Sequence, residues 1–432
     1  MAGRFVRTDR REAIDESLTS APRPRIRHVA ASTFAWRTTG FIFGIALNVA
    51  ISRFLGPTGR GEYALLTLAA TTLATVGKLG LDHANVFMLG GLRAEPKRLA
   101  EQNALVAFVA GPIGAVLLLT TPWTLPSVFG DVPLPYLAIA GITGTLQVHI
   151  QLSGSLQNLR GLTTWQFRSV AYGFALQLAL VAGLLLLGWL DVLSALVCNL
   201  VGVALTWAMV ISRDGFGTLR PATERQLLLR TLRYALVVHI GLVLFFLQAR
   251  LNQFIVKADL GSAALGLYSI ASVIAEALLL ASDSIAIALL PLQTESDVRS
   301  TARLALLGAL AGAAITAVAA VPFVLLGEPL LRIVFGESFA PAYAPLVILL
   351  PGADMLAAQR FCGFAVLRAN RPLLIMAIYL AGMVTSLVAN LIWIPTMGLA
   401  GAALAITISY ALTFALFLIW TLRLAGGRAA AR

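Results

Sequence analysis

The sequence predicts an all-α polytopic membrane protein of about twelve transmembrane helices, arranged as two pseudosymmetric lobes of six helices. Three observations lead to this prediction. The 432 residues are 59% hydrophobic, with a mean hydropathy of +0.86. Apolar runs of about 20 residues, the length that crosses a bilayer, recur along the whole chain. One short motif also occurs twice, about half a chain apart.

The duplicated motif is LGPTGRGEY at residues 55–63 and LGSAALGLY at residues 260–268. Both copies read Leu-Gly, four residues, Gly, one residue, Tyr. Gly56 is placed to cap one helix, and Pro57 prevents that helix from continuing. Six spans separate the copies, so both turns face the same side and the two halves share one orientation. Repeats of this kind are related by an axis along the membrane normal, and a transport pathway commonly lies between them.

The apolar runs divide the chain into five predicted segments. Residues 1–30 form a charged, flexible cytoplasmic tail, 31–213 the N-lobe, 214–232 a cytoplasmic linker, 233–423 the C-lobe and 424–432 a C-terminal tail. The predicted spans are 32–54, 63–89, 103–122, 134–157, 165–189 and 192–212 in the N-lobe, and 233–254, 265–291, 302–326, 342–366, 372–394 and 399–422 in the C-lobe.

Charge sets the predicted orientation. The chain has 32 Lys and Arg against 20 Asp and Glu, and most of the basic residues fall in segments on one side of the spans. Cytoplasmic loops carry such an excess, so both termini are predicted to be cytoplasmic. The basic residues are dispersed among loops, which argues against nucleic acid as a partner. Cys198 and Cys362 lie in apolar runs and lack the spacing of a disulfide framework or a metal site.

The motif residues resemble a known family. Leu55-Gly56-Pro57…Gly61-Glu62-Tyr63, the following helix with Gly77, Gly80 and Leu81, residues 366–369 and the six-plus-six organisation are similar to O-antigen (Wzx-type) polysaccharide flippases. These belong to the multidrug/oligosaccharidyl-lipid/polysaccharide exporter (MOP) superfamily. The resemblance implies a V-shaped, MATE-like pair of lobes. It also implies a transporter that flips an undecaprenyl-pyrophosphate-linked oligosaccharide to the outer leaflet of the cell inner membrane by alternating access, for lipopolysaccharide or other surface polysaccharide. Members are commonly thought to couple flipping to ion gradients or membrane potential. No binding residue is carried over from the family.

Such a substrate has an anionic pyrophosphate and many hydroxyls, so the transporter needs a polar cleft within the membrane. A charge at the bilayer centre costs at least ~2.5–3.5 kcal/mol on insertion scales, so intramembrane charges need a reason. Arg37 and Lys78 are the candidates for attracting pyrophosphate. The alternatives are that Arg37 extends to the headgroups and that Lys78 pairs locally with Asp82, one turn away. The candidates for hydrogen bonds to sugars are Asn48, Gln147 and Gln151; bonds between helices are the alternative.

Five residues are candidates for ion coupling or gating: Asp82, Glu276, Asp283, Asp354 and Arg360. Asp283 occupies the position equivalent to Lys78 in the second repeat. We therefore hypothesise that Lys78 and Asp283 meet across the pseudo-twofold axis and close the cytoplasmic side in the outward-open state. Ordinary packing pairs between helices are the alternative. The coupling ion is expected to be a proton or sodium, and no metal or other cofactor is expected.

Two other functions compete. An ion-coupled multidrug exporter has the same fold, but exporters of cations favour an acidic cleft, and Arg37 and Lys78 argue against one. A membrane polysaccharide polymerase or ligase needs a sizeable outer loop with catalytic residues, and the outer segments here are short. No P-loop, HExxH motif or nucleophile elbow occurs. We therefore predict a transporter, not an enzyme, that works as a monomer in contact with membrane lipids and near polymerases or glycosyltransferases.

Overall fold

The computed structural model describes residues 24–90, 95–215, 220, 224–280, 282–283, 285–286 and 297–427, and within these ranges the chain is helical and contains no strand. Residues 1–23 and 428–432 of the predicted tails, and most of the middle of the predicted linker, lie outside the described residues. The first helix begins at Pro24, inside the segment predicted as a tail. The lobe boundaries stay predictions.

The first half of the chain forms long helices joined by short turns, and the sequence explains several ends. Proline begins α3, where a missing N–H costs nothing. Gly188 ends α7 in the left-handed conformation, and Asp191 begins α8 with a capping box to Ser194. The helices are α1 (Pro24–Gly77), α2 (Leu81–Gly90), α3 (Pro96–Leu119), α4 (Thr121–Thr124), α5 (Pro126–Phe129), α6 (Leu134–Leu159), α7 (Thr163–Leu187) and α8 (Val192–Asp214).

The second half repeats this pattern. Its helices are α9 (Arg225–Ala277), α10 (Val298–Phe335), a 3-10 turn (Glu337–Ala342), α11 (Tyr343–Arg368), α12 (Pro372–Met397) and α13 (Leu399–Ala425). Like α1, α9 is more than twice as long as a bilayer crossing requires, because each contains two predicted spans.

The duplicated motif forms the kinks that divide α1 and α9. The backbone at Gly56 has φ 65° and ψ −177°, and at Gly261 φ 84° and ψ −178°. A side chain is strained at such positive φ values, so glycine is required at both positions. The two copies of the motif also pack against each other. A Cβ atom on Gly61 would overlap the carbonyl oxygen of Ser262, and one on Gly266 would overlap that of Pro57.

The number of spans agrees with the prediction of about twelve. Nine stretches of the described chain are long and apolar enough to cross a membrane, and two of them contain the kinks at Gly56 and Gly261. Each kinked stretch supplies two spans. The helix α6 is not among the nine, since it carries Gln147, His149, Gln151 and Gln157, but its 26 residues match a predicted span.

The apolar cores show how the lobes meet. We call the side of the molecule that carries Gly56 and Gly261 the kink end, and the side that carries Arg160, Arg213 and Arg423 the basic end. The largest core joins both lobes; it includes Ile51 and Tyr63 of the N-lobe with Val256 and Tyr268 of the C-lobe, all near the kinks. Two further cores lie almost entirely within single lobes. The lobes are therefore fused near the kink end and have separate cores elsewhere.

Candidate functional site

A central cavity of about 520 Å³ lies between the lobes, within the 300–1,000 Å³ range of ligand sites. Most of its wall comes from the C-lobe helices α9, α11 and α12, and it is largely apolar. The N-lobe contributes Arg37 and His83. The polar side chains of the lining are Arg37, His83, Asp283, Gln359, Arg360 and Tyr379, and the apolar wall includes Leu242, Phe245, Phe364, Ile375, Met376 and Phe417.

An ionic centre joins the two lobes at this cavity. Asp283 Oδ2 lies 3.4 Å from Nη2 of Arg37 on α1. On its other side Asp283 Oδ1 is in direct contact with Nη1 of Arg360 on α11. All three side chains are between one fifth and about one third exposed, so they face the cavity and are not sealed in a core. Two guanidinium groups share one carboxylate, which leaves an excess of positive charge.

A second group lies at the N-lobe edge of the cavity. Lys78 Nζ bonds Asp82 Oδ2 at 2.7 Å, and Asp82 Oδ1 lies 3.0 Å from His83 Nδ1. In this conformation Lys78 therefore pairs with Asp82, which is the alternative that the sequence offered. Asp283 contacts Arg37 and Arg360 and not Lys78. His239 Nε2 lies 3.1 Å from the carbonyl oxygen of Val76, which is a further contact between lobes. The predicted meeting of Lys78 with Asp283 concerns the outward-open state and stays a prediction.

Gln147 and Gln151 line a different cavity, of about 260 Å³, inside the N-lobe between α6, α7 and α8. Gln177 and Asn199 line it too, so it is rich in amide groups. Gln147 Oε1 is buried there without a hydrogen-bond partner among the described residues. Asn48 donates to the carbonyl oxygen of Gly44 within its own helix, and it does not line the central cavity.

Two predicted coupling residues lie in the C-lobe outside the lining of the central cavity, and the Glu276 side chain is 44% exposed. Glu276 accepts two hydrogen bonds from Arg250, at 2.6 and 2.8 Å, in the bidentate geometry of a strong ion pair. Glu276 also lines a C-lobe cavity of about 30 Å³, room for a water molecule. Asp354 Oδ1 on α11 is buried with no hydrogen-bond partner within the described part of the chain.

Polar contacts at the kink end were missed by the sequence analysis. Lys257 of the C-lobe is buried, and its Nζ lies 2.6 Å from Asp131 Oδ2 in an N-lobe loop. Arg60 Nε donates to Ser269 Oγ at 3.2 Å across the lobes, and Arg53 donates to the carbonyl of Ile333 at 2.8 Å. Arg60 lies inside the duplicated motif and Lys257 just before it. Their position in or next to the duplicated motif was the signal in the sequence that could have identified these contacts.

The fold is similar to that of several solved membrane proteins. Over 93% of this chain, it matches an inward-facing multidrug resistance MATE family transporter with a TM-score of 0.74 at 12% identity, and covers 100% of that chain. It matches the lipid II flippase MurJ in an inward closed conformation with a TM-score of 0.71 at 12% identity, over 93% of this chain and 90% of that one. A mutant of the Vibrio cholerae MATE transporter VcmN matches with a TM-score of 0.61 at 15% identity, over 92% of this chain and 99% of that one.

The sequence profile of the family described as polysaccharide biosynthesis protein matches residues 50–344, about two thirds of the chain. The chain belongs to this family. No curated protein sequence gives a significant match. The family is described by its part in polysaccharide biosynthesis, and the solved proteins that share this fold are membrane transporters and a lipid flippase.

Proposed function

We propose that the protein flips an undecaprenyl-pyrophosphate-linked oligosaccharide from the cytoplasmic to the outer leaflet of the cell inner membrane, by alternating access, for surface polysaccharides such as O-antigen. The charge of the central cavity carries this proposal. Arg37 and Arg360 share one carboxylate, Asp283, in a largely apolar cavity. A pyrophosphate can replace that carboxylate and form charge-assisted hydrogen bonds with both guanidinium groups.

The exchange of partners links binding to movement. Arg37 belongs to the N-lobe, and Asp283 and Arg360 to the C-lobe, so the Arg37–Asp283 contact holds the lobes together at the cavity. Pyrophosphate would neutralise the arginines and release Asp283 from them. Because a ligand shifts a conformational equilibrium only through different affinity for the two states, this exchange supplies the required difference. Sugars would follow the pyrophosphate into the cleft, and the polyprenyl tail would stay in lipid.

The polar side chains outside the central cavity have supporting roles in this proposal. The amide-lined N-lobe cavity with Gln147 and Gln151 would receive sugar hydroxyls once the lobes rearrange. Asn48 is the third candidate of this kind. The basic end would face the cytoplasm, in agreement with the loop charges, so the kink end would be the outer gate. The chain would act as a monomer near polymerases or glycosyltransferases.

A gradient of protons or sodium would drive the cycle, and Asp354 is the strongest candidate for the coupling residue. Its buried Oδ1 has no hydrogen-bond partner among the described residues, and an unpaired carboxylate oxygen in a membrane protein readily accepts a proton or cation. Replacement Asp354→Asn should remove the response of flipping in proteoliposomes to an imposed gradient. A response of wild-type size to both a pH and a sodium gradient would exclude Asp354 from coupling.

The flipping proposal is tested on lipid-linked glycans in cells that lack the protein, with an impermeant lectin or periodate reporting the outer leaflet. Restoring the wild type should clear glycans that accumulate inside. The variants Arg37→Gln and Arg360→Gln should each fail to clear these glycans. A hydrogen bond to a charged group is worth ~1.5–3 kcal/mol, so losing one should weaken substrate binding on the order of ten- to hundredfold. The exposed Arg423→Gln, at the basic end, is the matched control.

Each competing function predicts a different result. If intermediates reach the outer leaflet without the protein and remain unpolymerised or unligated, a membrane polymerase or ligase is indicated and flipping is refuted. The MATE-like fold keeps drug export as the second candidate. Export of a cationic dye that depends on the protein, together with normal glycan flipping in cells that lack it, would support that function.

A further inference from the structure

A second cavity, of about 440 Å³, lies at the basic end on the N-lobe, and the residues of the central site take no part in it. Helix α1 separates the two. Trp36 faces this peripheral cavity, and its neighbour Arg37 faces the central one. The walls come from α1, the turn before α7, the start of α7 and the end of α8. The lining residues are Ser32, Trp36, Gly161, Leu162, Thr164, Trp165, Arg168 and Arg213.

Aromatic rings hold the two cations of this cavity in place. The guanidinium carbon of Arg168 lies 5.4 Å from the ring centre of Trp36 and 5.7 Å from that of Trp165, and the guanidinium carbon of Arg213 lies 5.9 Å from the Trp165 ring. Trp165 is fixed in turn, because its Nε1 donates to the carbonyl oxygen of Met209 on α8 at 3.0 Å. Arg168 Nη2 donates to the hydroxyl of Tyr172 at 3.4 Å, and stacking leaves the other N–H donors of the two guanidinium groups available at their edges.

The cavity has a surplus of positive charge with no local counter-ion in the described part of the chain. No carboxylate among the described residues pairs with Arg168 or Arg213. The nearest acidic neighbour in sequence, Asp214, already pairs with Arg160 at 3.2 Å. The N-terminus of α7 also borders the cavity, and it has neither a side-chain cap nor an acidic residue in its first turn. Its free N–H groups and helix dipole add to the attraction for an anion.

We propose that this cavity binds the phosphate of an anionic membrane phospholipid. Tryptophan and arginine at the end of transmembrane helices lie at the depth of lipid headgroups, and basic pockets between helices on the cytoplasmic side hold such headgroups. Arg168 and Arg213 would hold the phosphate oxygens, and Ser32 on α1 and Thr164 on α7 also line the cavity. The lipid would fasten α1, which carries Arg37, to α7 and α8. Phospholipid binding at this cavity is independent of the substrate that the central cavity carries.

The test uses native mass spectrometry of the full-length protein, purified in detergent and offered phosphatidylglycerol, phosphatidylcholine or undecaprenyl pyrophosphate. The wild type should retain phosphatidylglycerol in preference to phosphatidylcholine. The double variant Arg168→Gln/Arg213→Gln should bind it about tenfold more weakly or worse, because each basic residue near a lipid surface contributes severalfold to binding. Arg423→Gln is the control, since Arg423 also stacks on a tryptophan, 5.3 Å from the ring of Trp420 at the basic end.

The single variant Arg213→Gln keeps the test informative if the double variant misfolds. Arg213 is exposed at the end of α8, so its replacement should leave the fold intact. It should weaken phosphatidylglycerol binding severalfold with an unchanged melting temperature. Equal retention of phosphatidylcholine, or full retention of phosphatidylglycerol by both variants, would overturn the proposal. Loss of undecaprenyl pyrophosphate binding alone in the variants would also overturn it, since the cavity would then hold the transported lipid. Failure here would leave the flipping assay unaffected.

Discussion

The contact between Arg37 and Asp283 should control how the lobes close at the central cavity. We predict that Arg37→Gln and Asp283→Asn each shift the protein towards conformations in which the basic end is more open. Asp283→Asn should shift it further, because it leaves Arg37 and Arg360 facing each other without the carboxylate that both contact. In the double variant, the second replacement should have less effect than it has alone.

The magnitude follows from distance and exposure. Opposite charges about 4 Å apart attract by about 4 kcal/mol at an effective dielectric constant of about 20, whereas exposed pairs measure only about 0.2–1 kcal/mol. The Arg37 and Asp283 side chains are 27% and 22% exposed at 3.4 Å, so the pair lies between these limits and nearer the lower one. We expect a coupling of about 1 kcal/mol, which is about a fivefold change in the ratio of closed to open molecules.

The assay is a double-mutant cycle read by double electron–electron resonance in nanodiscs. Spin labels at Leu159 and Leu367 report the distance between the lobes, because both side chains are exposed at the ends of α6 and α11 at the basic end. The native Cys198 and Cys362 are buried and should label slowly. The control is Arg332→Gln, which breaks ion pairs with Glu328 of the same helix and with Glu337 of the 3-10 turn that follows, all within the C-lobe. Distance distributions that do not differ between the wild type and either single variant would refute the reasoning.

Three further predictions concern the kink end and the stability of the N-lobe. Gly61→Ala should abolish transport, because its Cβ would overlap a backbone carbonyl of the other lobe, whereas Gly183→Ala, which meets nothing within 4 Å, should transport normally; equal glycan flipping by both would contradict this. Lys257→Gln should increase the accessibility of the kink end to an impermeant thiol reagent at an introduced cysteine, because it removes the buried cation that holds Asp131 at 2.6 Å, and unchanged labelling would count against a gate there. Asp191→Ala should lower the stability of the protein in detergent by about 1 kcal/mol, since it removes a helix cap, and the melting temperature checks it. The hydrogen bond from the Ser194 amide lowers the pKa of Asp191, so the contribution of this cap is present at neutral pH and is lost as the pH falls through that lowered pKa.

The spans could be predicted from sequence because the lipid imposes a local rule. A chain in hydrocarbon must satisfy its backbone groups within each helix, so length and apolarity alone locate the crossings. The turns at Gly56 and Gly261 could also be predicted from sequence, because a positive φ is a local backbone property that glycine tolerates and other residues resist. The sequence did not indicate that the two copies pack against each other.

The candidate site was only partly predictable, and the reason is helix rotation. The pair of Lys78 with Asp82 follows from a spacing of one turn, and it was among the alternatives considered. The partners of Asp283 depend on how far α1, α11 and the segment after α9 rotate and approach, which no local pattern records. Arg37, Asp283 and Arg360 were each predicted as candidates, but not as one centre.

The sequence by itself determined the class of structure: about twelve apolar helices in two repeated halves, a glycine turn in each, and an excess of basic residues on one side. These features depend on the length, polarity and local backbone preference of single segments. The tertiary structure alone decided which charges meet. It joined Arg37 to Asp283 across the lobes and stacked Arg168 and Arg213 on the same tryptophan. Such contacts depend on the relative rotation of helices far apart in sequence, which the packing of the whole molecule sets.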